Sequence, residues 1–175
     1  MSRIYTEHFS GLIPETESSA LYEFLRDSVH WEEGIKSKKG FTRLAKSIDL
    51  CGQKPVDLLD SEDIISETVR ELITKYVKTV VSGKNKKAFN DTIPIYGVYL
   101  NYYQTGNMWT PNHTHPGTVQ VVFSLGTTRT LVMNKKSIEM KNGDAIIFGS
   151  GVHGVPKELT SEGRISIAFF IAKNA

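Results

Sequence analysis

The chain has a single cysteine, Cys51, in 175 residues. This excludes an internal disulfide and any cysteine-rich zinc module, and makes a reducing, cytoplasmic setting the expectation. No apolar run approaches the roughly 20 residues that cross a bilayer, and the opening MSRIYTEHFS lacks the apolar stretch of a secretory signal. An excess of one charge is missing as well. The 21 Lys and Arg against 19 Asp and Glu leave a formal charge of +2, too little by itself to demand a polyanionic partner. With 39% hydrophobic and 23% charged residues, the composition lies outside the disordered, fibrous and membrane classes. One domain over residues 1–175, monomeric, is the expectation for this length.

Two stretches of the first half have helical periodicity. In PETESSALYEFLRDSV, Pro14 and the acids after it suit a helix N-terminus, and Leu21, Phe24, Leu25 and Val29 recur along one face. DSEDIISETVRELITKYVKTVVSG repeats the pattern, with Ser61 as N-cap, a stripe of Ile65, Val69, Leu72, Ile73, Tyr76 and Val80, and Gly83 as terminator. Between them WEEGIKSKKGFTRLAKSIDLCGQKP is polar and glycine-punctuated, which reads as short strands and loops. From residue 93 onward, short β-branched and aromatic runs alternate with Gly, Asn and Lys turns, the pattern of an antiparallel sandwich or barrel. The fold class is therefore α+β, with a helical and loop region over 1–92 and a β core over 93–175.

Histidine is scarce too, with five in the chain, yet two stand in NHTHPG. In an extended segment residues i and i+2 face the same way, so His113 and His115 project into one space. A second block, KNGDAIIFGSGVHGVP, runs through an apolar strand and delivers His153 at its far end. Three imidazoles suit a borderline divalent ion such as Fe(II), Zn(II), Mn(II) or Ni(II). Three protein ligands leave positions open on the ion, which points to catalysis rather than a structural plug. Asn101 and Tyr103 share one face of YLNYY, and Arg164 opens the last strand with Ser166 and Phe170 on its face; a strand-borne guanidinium near a metal makes a clamp for an anion.

The ordered set N-x-Y, H-x-H, H and R resembles the AlkB-like family of Fe(II)- and 2-oxoglutarate-dependent dioxygenases. The opening YTEHFSGLIPETESSALYEFLRDSVHWEE is similar to that family's start, and FTRLAKSIDLCG to its Pro-Arg-Leu segment, with Thr42 where proline is usual. VVFSLGTTRTLVM and GDAIIFGSGVHGV resemble its Ser-Leu-Gly and distal-histidine strands, so the resemblance spans nearly the whole chain. It implies a double-stranded β-helix core with the N-terminal helices packed on one face. It also implies Fe(II) at His113, His115 and His153, and 2-oxoglutarate as co-substrate at Asn101, Tyr103, Arg164 and Ser166. The implied reaction hydroxylates or oxidatively dealkylates a nucleobase or nucleic acid, with Phe41, Arg43, Trp109 and Phe170 on the substrate side.

Two departures stand out. His115 replaces the Asp of the family's His-x-Asp, leaving the site one unit more positive. Phe170 replaces a second arginine that the family's nucleic-acid dealkylases carry near the substrate. The lysine clusters Lys36, Lys38, Lys39 and Lys84, Lys86, Lys87 would attract phosphates if they converge at the site, and Trp31, Phe41 and Trp109 would stack on an extracted base. Two other readings compete. A cupin-type three-histidine metalloprotein accounts for His115, with Gln120 standing where that pattern has Glu, but not for Asn101, Tyr103 or Arg164. A non-catalytic nucleic-acid-binding module would use the basic loops and tolerate loss of metal.

Overall fold

A computed structural model of the protein describes residues 3–34, 36–38, 40–49, 64–89 and 95–172. Strand β1 (Glu7–Phe9) leads to helix α1 (Glu15–Ser28), then to β2 (Glu32–Glu33), β3 (Lys36–Ser37), β4 (Gly40–Phe41) and β5 (Leu44–Asp49). Helix α1 starts behind Pro14 with Glu15 and Glu17 in its first turn and Arg26 in its last, each on the side the helix dipole favours. A second helical stretch comprises α2 (Ile64–Leu72), a π-helical turn (Ile73–Val77) and α3 (Lys78–Val81). The β core follows: β6 (Ile95–Tyr103), β7 (Thr110–His113), β8 (Val119–Gly126), β9 (Arg129–Met133), β10 (Lys136–Met140), β11 (Ala145–Phe148), β12 (His153–Val155) and β13 (Arg164–Ile171).

These strands form a seven-stranded sheet, ordered β1-β11-β8-β13-β6-β5-β2, facing a four-stranded sheet, β10-β9-β12-β7. All the pairings are antiparallel. The architecture is the α+β, double-stranded β-helix expected, with helices on one face of the larger sheet. Strands from the N-terminal region extend that sheet at both ends: β1 beside β11, and β5 and β2 beyond β6.

Alternation along the central strands separates two interiors. Val98 and Leu100 of β6, Val121, Phe123 and Leu125 of β8, and Ile165, Ile167 and Phe169 of β13 face the helices and pack with Leu25, Val69, Leu72, Val77 and Val80. Leu131, Met133, Met140, Ile146, Phe148 and Val155 pack between the sheets instead. Every residue of β13 is buried, so one strand serves both interiors. The expected helical stripes hold for Leu25, Val29, Val69, Leu72 and Val80, with Leu21, Phe24 and Tyr76 half-buried. Ser61 and the side chains of Ile65 and Ile73 lie outside the described residues, as does Cys51. The π turn is what the 3.6-residue period did not anticipate. It inserts a residue into the helical register and brings Val77 into the core beside Val80. None of the described helices is long and apolar enough to cross a membrane.

Phe123 is fully buried, with its ring 5.7 Å from Phe169 and 6.5 Å from Tyr76, whose hydroxyl donates to Glu17 of α1 at 2.6 Å. Phe123→Ala is expected to lower the free energy of unfolding by about 3–5 kcal/mol. Urea denaturation followed by circular dichroism measures this, and a loss below 1 kcal/mol would mean the helix layer does not depend on this contact.

Candidate metal centre and anion pocket

The two histidine-bearing segments meet on the smaller sheet. His113 ends β7 and lies directly opposite His153, the first residue of β12. His115 sits two residues on, in a turn set by HPGT. Thr118 N–H donates to the His115 carbonyl at 3.2 Å, with Pro116 and Gly117 between them and Gly117 at φ +74°, the type II arrangement that favours glycine. Thr114, between the histidines, donates its hydroxyl to the Ser150 carbonyl at 2.5 Å and ties this loop to the one carrying His153. The β12 backbone passes so close to β7 that a Cβ on Gly154 would lie 2.4 Å from the Asn112 side chain.

The ligand atoms of His113, His115 and His153 all lie within 4.8 Å of one another. His113 Nδ1 is 2.7 Å from the Pro111 carbonyl and His153 Nδ1 is 2.8 Å from the Gly151 carbonyl. A carbonyl can only accept, so each Nδ1 carries the proton and each Nε2 keeps the lone pair a metal would take. Burial pushes the His153 imidazole down to about 4, more than the Gly151 bond raises it, and the charges of His113 and His115 add to the fall. His115 is lowered for the same first reason, with His113 second. Imidazoles that present Nε2 to a common point fit a borderline divalent cation.

The histidines line a cavity of about 740 Å³ between the sheets. Its floor is the inward face of the large sheet, with Asn101 and Tyr103 from β6, Gln120 and Val122 from β8, and Arg164, Ser166, Ala168 and Phe170 from β13. Register sets Arg164 beside Tyr103, Ser166 beside Asn101, and Phe170 beside Gly97.

Arg164 is 2% exposed; its Nε donates to Ser124 Oγ at 2.8 Å, and its guanidinium lies 5.5 Å from the centre of the Tyr103 ring. Among the described residues no carboxylate forms an ion pair with it. Burial lowers it to about 10, so it stays charged at neutral pH. The Glu158 carboxylate attracts it without forming an ion pair; a buried cation with no direct partner costs several kcal/mol, and a small dianion with a carboxylate at this end would offset that cost. A second buried arginine, Arg129, sits 5.1 Å from the centre of the same Tyr103 ring. It donates to the carbonyls of Thr105, Met108 and Pro156, fastening the loops around this end.

The structure thus brings His113, His115, His153, Asn101, Tyr103, Arg164, Ser166, Arg43 and Phe170 around one cavity. Asn101 Oδ1 accepts from Arg43 Nε at 2.8 Å, and Tyr103 shares a 2.6 Å hydrogen bond with Thr110. Trp109 does not line the cavity; the Lys157 ammonium lies 5.8 Å from its ring centre. Trp31 packs against Tyr102 on the helix side, with ring centres 5.2 Å apart. The side chain of Phe41 lies outside the described residues, as do Lys39 and the side chain of Lys36. Lys38, Lys84, Lys86 and Lys87 are exposed and do not line the cavity. Sequence reasoning did not single out Tyr96 and Tyr99, and it saw Gln120 only as a substitute in another pattern. Alternation along β8 was the available signal for Gln120, since it places that residue on the face of Val122 and Ser124.

No protein-family model matches this chain, and no curated protein matches it. Solved structures do. The chain is similar to an oxidoreductase of the 2OG-Fe(II) oxygenase family from Burkholderia pseudomallei, with TM-score 0.68 and 15% identity, covering 95% of this chain and 85% of that one. It is similar to OsALKBH1, with TM-score 0.62 and 16% identity, covering 97% and 99%. It is also similar to a prolyl-4-hydroxylase from Pseudomonas putida, with TM-score 0.60 and 12% identity, covering 97% and 93%. Identities this low establish the fold: a double-stranded β-helix of the kind 2-oxoglutarate- and Fe(II)-dependent oxygenases use.

Proposed function

We propose that this protein is an Fe(II)- and 2-oxoglutarate-dependent dioxygenase. The observation that carries the reading is one cavity with both halves of that chemistry: three converging imidazoles, and a buried guanidinium with no carboxylate of its own among the described residues. His113, His115 and His153 would hold the iron. Arg164, steered by Ser124, would pair with the distal carboxylate of 2-oxoglutarate, with Tyr103, Asn101 and Ser166 completing that end. Bound iron supplies oxygen activation, in which 2-oxoglutarate loses carbon dioxide and takes one oxygen atom as succinate while the substrate takes the other. The substrate class is a nucleobase, hydroxylated or oxidatively dealkylated, a reading supported by the AlkB-like motif order and by the aromatic side chains of Tyr96, Tyr99 and Phe170 in the cavity wall.

A three-histidine metalloprotein that does not use 2-oxoglutarate explains His115 equally well but gives the Arg164 guanidinium no direct ion pair among the described residues. Aerobic incubation with Fe(II) and 2-oxoglutarate separates the two. Succinate is expected even without the true substrate, and the dioxygenase reading fails if no succinate forms and calorimetry detects no 2-oxoglutarate binding.

Two substitutions divide the site. His113→Ala is expected to abolish stoichiometric Fe(II) binding, read by metal analysis after desalting. Arg164→Ala is expected to weaken 2-oxoglutarate at least tenfold, in keeping with a charged hydrogen bond, while metal content stays near wild type. Loss of metal in both variants would make Arg164 a structural residue.

The neutral state of His153 also shapes stability in the metal-free protein. Its ordinary value is 6.5 and its folded value about 4, so the unfolded chain binds the proton first as pH falls. This stability is full above pH 6.5, declines as pH drops towards 4, and amounts to roughly 3 kcal/mol. Urea titrations across that range should show the decline, and His153→Gln should flatten it.

A further inference from the structure

Gln120 is 3% exposed, lines the cavity, and its Nε2 has no hydrogen-bond partner among the described residues. A buried amide donor left unmatched is costly unless a ligand supplies the acceptor. In the large sheet Gln120 is registered between Phe148 of β11 and Phe170 of β13, and Phe170 in turn lies beside Gly97. The Phe148 ring is 4.8 Å from that of His153, and the Phe170 ring 5.3 Å from that of His115. The amide therefore lies on the cavity floor beneath the histidines.

This end differs from the Arg164 end. Along β13 the two are six residues apart, about 20 Å of strand, and a five-carbon diacid anchored at Arg164 covers less than half of that. What remains is walled by aromatic rings. Tyr99 and Tyr96 stand 5.1 and 6.1 Å from Phe170, at tilted or edge-on angles. Gly97 keeps the floor open between them; a Cβ there would lie 3.4 Å from the Tyr99 ring and 3.9 Å from Phe170. Among the described residues no Asp or Glu lines the cavity, and the basic side chains lining it besides the histidines are Arg43 and Arg164, of which Arg43 is bonded to Asn101. A cationic ring would meet positive charge and no carboxylate. An anionic ring would be drawn to the arginines and compete with the co-substrate.

We infer that the space bounded by Gln120, Phe170, Gly97, Tyr96 and Tyr99 is the primary-substrate subsite, and that it takes an uncharged planar ring bearing a hydrogen-bond acceptor for the Gln120 amide. The inference rests on the dioxygenase reading for what fills the Arg164 end. It narrows the substrate from alkylated bases, several of which are cations, to neutral carbonyl-bearing rings.

The test uses protein loaded with Zn(II) and 2-oxoglutarate, and three probes of similar size: 1-methyluracil (neutral), N-methylpyridinium (cationic) and benzoate (anionic). Ligand-observed NMR is expected to detect 1-methyluracil alone. Gln120→Leu should weaken it about tenfold and Gly97→Val should abolish it, while calorimetric 2-oxoglutarate affinity stays within twofold of wild type in both. Gln120→Glu should turn the preference towards N-methylpyridinium. Preferential binding of either charged probe by the wild type overturns the inference, as does no binding of any ring while 2-oxoglutarate binds. So does undiminished 1-methyluracil binding in Gln120→Leu, or loss of 2-oxoglutarate affinity there, which would assign the amide to the co-substrate. If wild type fails to bind 2-oxoglutarate at all, it is the dioxygenase reading that falls; ring selectivity, read on Zn(II) protein alone, still decides the subsite.

Discussion

The structure depends on the two-residue alternation of β13, held between β8 and β6. Its odd residues, Ile165, Ile167, Phe169 and Ile171, face the helices, and its even residues, Arg164, Ser166, Ala168 and Phe170, face the cavity. A slip of one residue would drive the guanidinium into the helix-side core and aim isoleucines at the histidines. Pairing in one register with β8 along the whole strand, and with β6 from Arg164 to Phe170, resists that slip. The apolar packing and the chemistry of the cavity are thus fixed by the same ladder, and neither can be altered independently of the other.

The metal end adds a second constraint from the backbone. Carbonyls of Pro111 and Gly151 each hold an imidazole Nδ1, so ring orientation is set by the chain itself rather than by further side chains. Where the AlkB-like pattern has a carboxylate, His115 brings none, so a bound dication keeps its full charge. Ligands are thereby favoured that bring negative charge with them.

Much of this was legible in the sequence because strands have a strict period. N-x-Y and R-x-S each put two residues on one strand face, and both pairs line the cavity, as do the two histidines of H-x-H. His115 was expected on an extended segment with His113; the strand ends at His113 instead, and the HPGT turn carries His115 to the cavity. Loops have no such period, so Trp109 and Trp31, plausible stacking residues by type, pack elsewhere. The π turn that buries Val77 leaves no mark in a 3.6-residue pattern, and the unmatched donor on Gln120 is a property of its neighbours rather than of its own identity. Arg129, an ordinary turn-flanking arginine by position, is fully buried because three carbonyls from distant loops converge on it.

That last arrangement gives the cavity a direction. With Arg129 closing the loops over Tyr103, the Arg164 end has almost no contact with solvent, whereas Tyr99 at the opposite end is 41% exposed. Among the described residues the Arg164 end is the closed one and the Tyr99 end the more open one. A guest that enters at the Tyr99 end meets the aromatic residues before it reaches the guanidinium.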